Sequence, residues 1–196
     1  AVIIALLIVA PLVLPEFWRR FLTEVLIWGL LAMSSDLLIG YAGQISLGHA
    51  GFFGLGAYGS AILTARYGWP PAAALAATTV GVALLALVVG RPILKLKGHY
   101  LAMATLGMGI IISIVVVTED GLTGGPDGMA VPPLVLFGWA VAGERTWYWI
   151  SGAVLLATVW LAFNLIESPR GRALRALHGS EVAAQTLGID SGRAKL

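Results

Sequence analysis

The side chains best suited to chemistry lie together in one glycine-rich stretch. Residues 40–60 read GYAGQISLGHAGFFGLGAYGS and contain Gln44, Ser46 and His49, with Asp36 a short distance upstream. A serine beside a histidine is the pairing that an activated nucleophile needs, and a glycine loop can hold a phosphate on its backbone N–H groups. Inside a membrane, the same residues would have to face a packed helix junction or a wet cavity, because lipid does not solvate polar groups.

Neither type of soluble-enzyme chemistry matches the spacing. Ser46 stands in QISLG, which lacks the first glycine of the G-x-S-x-G nucleophile turn, and the glycines fit neither G-x-G-x-x-G nor a Walker loop. Metal binding is not indicated, because the three histidines are far apart, no carboxylates stand at ligand spacing, and cysteine is absent. Two interpretations of the polar cluster stay open: groups that bond one another at a helix junction, or groups that contact a translocated solute.

The composition decides which environment applies. The chain is 59% hydrophobic and 11% charged, whereas soluble domains carry roughly a quarter charged residues. Mean hydropathy is +0.91, and the charges cluster so that long stretches carry none. We therefore expect an all-α integral membrane protein, a polytopic helix bundle that contacts lipid and has no role in nucleic-acid binding.

The elements that must position these residues are apolar segments of nearly membrane-spanning length. Spans need about 20 apolar residues to cross a hydrocarbon core of about 30 Å. Six such segments are predicted, at about 1–14, 21–39, 45–64, 71–94, 100–118 and 147–166. The first is short and has no signal-peptide cleavage site, so we interpret it as part of a transmembrane helix.

The charged residues predict the orientation of the bundle. The loop 91–98 and the tail 167–196 are basic, whereas the loop 119–146 is mainly acidic. By the positive-inside rule, the first two face the cytoplasm and the third faces the outside. Residues 1–166 would then form about six crossings with a cytoplasmic N-terminus, which leaves Arg19 and Arg20 outside. In an alternative, the third segment is re-entrant, the N-terminus lies outside and the two arginines lie inside.

Small residues at four-residue spacing predict where helices approach closely. This spacing allows backbones to pack in lipid, where no hydrophobic force draws helices together. The predicted stripes are Gly56, Ser60 and Thr64 on the third segment, Ala73, Ala77 and Gly81 on the fourth, and Thr105, Gly109 and Ser113 on the fifth.

The outer loop contains a turn sequence, LTGGPDGM. Pro126 suits position i+1 of a turn, Asp127 tolerates position i+2, and Gly124 and Gly125 can adopt positive φ.

The cytoplasmic tail predicts two short helices. Ser168 followed by Pro169 is a helix start, with an N-cap serine and proline at the first helical position. A second helix is predicted from Glu181 to about Gly188, a glycine suited to the position after a helix end. The tail could lie on the anionic inner membrane surface, or it could insert an apolar strip into a groove of a partner protein.

Four stretches carry a resemblance to a known family: GYAGQISLGHAGFFGLGAY, KGHYLAMATLGMG, LTGGPDGM and GRALRALHGSEVAAQTLGID. In this order they resemble the permease subunits of branched-chain amino acid ABC importers of the LivM type, over residues from about 25 to 196. The fold that this resemblance implies is similar to that of the larger ABC importer permeases. Asp36 and Asp127 stand where the family pattern suggests asparagine.

The resemblance implies partners and site residues. The partners are a second, LivH-type permease, two cytoplasmic ATPase subunits that bind the ATP, and a periplasmic substrate-binding protein. This chain itself would carry no cofactor and no catalytic residue, and its ATPase-coupling loop would match the Ala-Ala-x-x-x-Gly pattern at Ala183, Ala184 and Gly188, with Glu181 one place early. Family members have more helices, so a further C-terminal portion is expected.

The remaining candidate residues come from the polar cluster at membrane depth, from the fifth apolar segment and from the outer loop. Candidates for the solute pathway are Asp36, Gln44, Ser46, His49 and Thr105, and candidates for receptor docking are Gly124, Gly125, Pro126 and Asp127. A self-contained channel or secondary transporter is the alternative in function, but it has no use for the coupling pattern in the tail.

Overall fold

The structure is a computed structural model, which describes residues 2–94, 96, 98–136, 139–141, 143–179, 184 and 186. Its described elements are almost all helical. In chain order they are α1 (Val2–Val13), α2 (Glu16–Asp36), a π-helical turn (Leu37–Tyr41), α3 (His49–Ala65), α4 (Pro71–Ile93), α5 (His99–Thr118), α6 (Asp120–Thr123), a 3-10 turn (Gly125–Asp127), strands β1 (Val135–Leu136) and β2 (Trp139–Ala140), α7 (Glu144–Glu167) and α8 (Pro169–Gly179). The two strands pair antiparallel, with Val135 opposite Ala140.

Within the described residues, four helices are long and apolar enough to cross a membrane. They cover Glu16–Tyr41, Pro71–Ile93, His99–Thr118 and Glu144–Glu167. Helix α3 has 17 residues and is about 25 Å long, slightly less than the hydrocarbon thickness. The prediction of an all-α polytopic membrane protein is confirmed, while the count of six crossings stays a prediction.

Helix α2 packs along α7, and the two helices run in the same direction. Leu26 lies beside Gly152, and one turn further on Gly29 lies beside Leu155. The short helix α1 reaches the beginning of α7, where the Tyr148 hydroxyl donates a hydrogen bond of 2.9 Å to the carbonyl of Leu7. The ends at which α2 and α7 begin therefore lie on one side of the bundle.

Helix α3 packs between α4 and α5 through glycine. At Gly59 a Cβ would fall 2.6 Å from the Thr78 methyl group, and Ala74 and Thr78 are buried residues of α4. The predicted stripe on α4 was therefore wrong by one position, because alanines stand on several faces of this helix and do not mark one of them.

The predicted small-residue stripes differ in whether their residues contact another helix. In the described part of the chain, Gly56 has no neighbour that a Cβ would touch, and neither has Gly81 of α4, so these glycines do not mark a helix contact there. On α5, by contrast, the backbones of Thr105 and Gly109 meet residues Gly48 and Gly51 at the start of α3.

The tail begins as predicted. The Ser168 hydroxyl accepts a hydrogen bond from the backbone N–H of Gly171 at 3.3 Å, the N-cap geometry expected before Pro169. The Arg175 guanidinium reaches back to donate to the carbonyl of Ile166 at 3.0 Å. Since the end of a helix carries free carbonyls and partial negative charge, this arginine stabilises the junction between α7 and α8.

Candidate functional site

The connection between α2 and α3 departs from regular helix. After the π-helical turn, Gly43 takes φ of 65°, and the N–H of Gln44 donates to the carbonyl of Leu38 at 2.9 Å. Residues 42–48, here called the strap, are not helical. Helix α3 consequently begins at His49 and not at residue 45, where the apolar segment begins.

The strap is bonded to α5 at Thr105. The Thr105 hydroxyl accepts a hydrogen bond of 3.0 Å from the N–H of Leu47 and lies 3.0 Å from the carbonyls of Leu101 and Ala102, to which it can donate. A Cβ at Gly48 would fall 3.2 Å from the Thr105 carbonyl oxygen, so the chain passes close to α5 here. Irregular backbone is tolerated at membrane depth only where such partners satisfy it or where it lines a cavity.

Thr105→Val should loosen this junction, because valine has nearly the same shape but cannot accept the hydrogen bond. The Leu47 N–H would lose its partner, at a cost of about 1–3 kcal/mol. We expect a lower melting temperature for the detergent-purified protein, measured by intrinsic tryptophan fluorescence. Thr105→Ser, which keeps the hydroxyl, is the matched control. Equal melting temperatures for the Val variant and wild type would contradict the role given to this hydrogen bond.

A cleft of about 370 Å³ opens between α3 and α5, directly beside the strap. This volume falls in the range of about 300–1,000 Å³ typical of small-molecule sites. Its walls are mainly apolar, and glycines make room for it on both helices. The residues that define it are Leu47, Gly51, Gly54, Tyr58, Gly109 and Ser113.

The two polar side chains of this wall, Tyr58 and Ser113, were not among the predicted pathway residues. The sequence pattern predicts Ser113 only as a packing residue of α5. Tyr58 was missed, although Ala50, Gly54 and Tyr58 recur every four residues and so share one face of α3.

The predicted polar cluster is spread around the strap instead of lining the cleft. Asp36 ends α2 and is exposed, with its carboxylate beside Gly40. Ser46 is partly exposed in the strap. Gln44 is only 6% exposed, and its Nε2 has no hydrogen-bond partner among the described residues; His49 Nδ1 is likewise buried without one.

In the described part of the chain, no hydrogen bond joins any two of Asp36, Gln44, Ser46 and His49. The interpretation that these groups satisfy one another at a helix junction therefore does not describe this structure. The fifth predicted pathway residue, Thr105, is hydrogen-bonded to the strap through its contact with Leu47.

The tail helix α8 reaches the other end of the strap. A Cβ at Gly43 would fall 3.1 Å from Nδ1 of His178 and 3.4 Å from its Cα, so the imidazole and its backbone pack directly on this glycine. Of the predicted coupling residues, Ala184 is helical and only 2% exposed. Glu181, Ala183 and Gly188 lie outside the described residues.

The predicted turn of the loop after α5 is present. Gly125, Pro126 and Asp127 form the 3-10 turn, closed by a 3.2 Å hydrogen bond from the N–H of Gly128 to the carbonyl of Gly125. Gly124 and Gly125 take φ of 78° and 57°, conformations that glycine adopts without strain.

The loop is tied to α5 through Thr123. The Thr123 hydroxyl donates to the carbonyl of Val116 at 2.6 Å and accepts from the N–H of Gly125 at 3.1 Å. The turn is therefore held in a fixed position on the end of α5.

The long apolar helices define the chain as a multi-pass membrane protein. A glycine-lined cleft lies between two of its helices, with irregular backbone beside it. The chain belongs to the family described as branched-chain amino acid transport system / permease component, whose model matches residues 18–196. The family resemblance predicted from the four sequence stretches is confirmed.

Two curated relatives carry the name high-affinity branched-chain amino acid transport system permease protein LivM. The protein from Escherichia coli (strain K12) is 31% identical over 228 residues, which cover 97% of this chain and 52% of the relative. The protein from Salmonella typhimurium (strain LT2) is 30% identical over 226 residues, covering 99% and 52% respectively. The chain thus spans about half the length of these relatives. No solved structure shows a significant match.

Proposed function

We propose that this chain is part of a permease subunit of an ATP-driven importer that carries branched-chain amino acids, or related small amino acids and amides, across a bacterial inner membrane. The observation that carries the proposal is membership of the permease family combined with a cleft of suitable volume between α3 and α5. The names of the two relatives support the choice of solute class.

In this proposal the cleft passes the solute. Its glycines leave room for an aliphatic side chain, and its apolar walls favour burial of that side chain. Tyr58 and Ser113 supply hydroxyls that can bond the charged ends of an amino acid. The predicted pathway residues Asp36, Gln44, Ser46 and His49 would act on the cytoplasmic side of the cleft, around the strap.

The direction of α2 supports the six-crossing arrangement. With a cytoplasmic tail, α7 runs from outside to inside, and α2 runs parallel to it, as the pairs Leu26 with Gly152 and Gly29 with Leu155 indicate. The re-entrant alternative would require α2 to be antiparallel to α7. The N-terminus is then cytoplasmic, and Arg19 and Arg20 lie outside.

Coupling to ATP hydrolysis would pass through the tail. ATPase subunits would bind the predicted coupling helix, and α8 would move with it. Because His178 packs on Gly43 and Leu47 is bonded to Thr105, a shift of α8 would move the strap at one end of the cleft. The second permease and the periplasmic binding protein complete the proposed complex, with the turn at Gly124, Gly125, Pro126 and Asp127 as the docking site for the latter.

Reconstituted uptake tests the proposal. The full-length permease, with its partner permease, ATPases and matched binding protein, is placed in proteoliposomes and offered a panel of labelled amino acids and short amides. We expect ATP-dependent accumulation of aliphatic amino acids. Solute flux through the permease without any ATPase subunit would instead favour a channel or secondary transporter.

A further inference from the structure

A second cavity, which shares no lining residue with the cleft, lies among α1, α2 and α7. Its volume is about 150 Å³, and its lining is almost entirely apolar. The floor is formed by Leu26 and Tyr148, which are 6% and 2% exposed, while the rim residues Trp149 and Leu156 are 41% and 49% exposed. An apolar cavity of about this volume can hold a benzene molecule, so this crevice has room for several methylene groups.

An unpaired cation lies near one end of the crevice. The Arg19 Nε is buried without a hydrogen-bond partner in the described chain, and Nη1 makes only a long contact of 3.5 Å to the carbonyl of Pro11. Within the described residues, no carboxylate lies within 4.0 Å of Arg19, whereas the neighbouring Arg20 pairs with Glu24 at 3.9 Å. A guanidinium offers five donors and binds phosphate or carboxylate in a two-pronged fashion, so Arg19 retains capacity for an oxyanion.

Arg19 does not line the crevice itself, but two helices connect the cation to it. On α1, Pro11 contacts Arg19, and Leu7, one turn away, lines the crevice. On α2, Arg19 lies in the first turn of the helix, and Leu26 lies about 10 Å further along the axis. A charge near the end of a spanning helix and an apolar crevice deeper along it match the two parts of an amphiphile.

We propose that Arg19 and this crevice bind one phospholipid, with the phosphate on the guanidinium and an acyl chain along Leu26, Tyr148 and Gly152. In the proposed site the exposed rim, with Trp149 and Leu156, is the side through which the acyl chain enters from the bilayer. This site would explain why an arginine lies in the first turn of α2. In the six-crossing arrangement this turn is on the outside, where the positive-inside rule does not predict basic residues. The inference depends on the protein being a membrane protein and not on the solute that it carries.

Native mass spectrometry of the full-length permease, released from detergent with phosphatidylglycerol added, tests the site. Arg19→Gln keeps most of the side-chain length and removes the charge, so retention of the lipid should weaken about tenfold, as expected for loss of a charge-assisted contact. Arg20→Gln, at the adjacent and exposed position, should retain the lipid as wild type does. Excess inorganic phosphate should not displace it, because the acyl chain contributes to binding.

A second variant tests the apolar part independently. A Cβ at Gly152 would lie 3.8 Å from Leu26, an ordinary contact, so Gly152→Ala is tolerated, whereas Gly152→Leu fills the crevice. The Leu variant should lose the lipid and still elute as a single species in size-exclusion chromatography. Equal retention by wild type, Arg19→Gln and Gly152→Leu would overturn the proposal. Absence of retained lipid in the wild type would do so too and would indicate that another protein segment covers the crevice.

Discussion

Gly188→Asp should abolish ATP-driven uptake while the membrane bundle still assembles. In the proposed mechanism, Ala183, Ala184 and Gly188 form the segment that inserts into the ATPase, and a carboxylate at the glycine would prevent a close fit. Within this chain Ala184 is only 2% exposed, so this residue of the tail packs against the chain itself. Because Gly188 belongs to the tail that follows α7, its substitution should not affect helix packing in the membrane.

Proteoliposome uptake, basal ATPase activity and co-purification of the ATPases measure this effect. Uptake should fall to background, because a tail that does not follow the ATPases cannot move α8 and the strap. Gly179→Asp is the matched control: it adds the same charge at the end of α8, where a Cβ meets no other atom of the described chain. Normal uptake by Gly188→Asp would refute the coupling role of the tail.

Gly51→Leu should have the largest effect within the membrane. A Cβ at this position would fall 3.0 Å from the Ile112 side chain and 3.1 Å from the Gly109 backbone, so α3 and α5 would have to separate. Overpacking of this kind costs about 1–3 kcal/mol. Both the melting temperature and solute uptake should drop, because the helix contact and the wall of the cleft are changed together.

Two further glycines of α3 separate these effects. Gly54 lines the cleft but a Cβ there meets no described atom, so Gly54→Leu should block uptake and leave the melting temperature unchanged. Gly56 has open space and does not line the cleft, so Gly56→Leu should change neither. If Gly54→Leu transported as well as Gly56→Leu, the cleft would not be on the solute pathway.

The spanning helices can be predicted from the sequence because a single requirement, a long apolar segment, determines where they lie. Lipid requires long apolar segments with internally bonded backbone, and the predicted bounds of α4 and α5 agree with the structure to within a residue. The start of α8 was predicted as accurately, since Ser168 and Pro169 carry a local signal that does not depend on distant contacts.

The strap could not be predicted in the same way. Hydropathy does not distinguish a helix from irregular apolar backbone, and the bond between Leu47 and Thr105 joins residues far apart in sequence. The cleft could not be predicted either, because its existence depends on which faces of α3 and α5 pack against each other. Gln44, Ser46 and His49 were therefore the obvious candidates of the glycine-rich stretch, whereas Tyr58 in the same stretch and Ser113 on α5 emerged only from the packing.

The most direct test of the account is accessibility of the cleft in the assembled importer. The sequence contains no cysteine, so Ser113→Cys introduces a single thiol in this chain at the cleft wall. Ile111→Cys, also on α5 and at a position 63% exposed but away from the cleft, is the control for the lipid-facing surface. A membrane-impermeant thiol reagent should label the Ser113→Cys variant at a rate that changes when ATP binds and falls when solute is supplied, while the Ile111→Cys variant stays unlabelled. Failure to label the Ser113→Cys variant in every nucleotide state would contradict a solute pathway between α3 and α5.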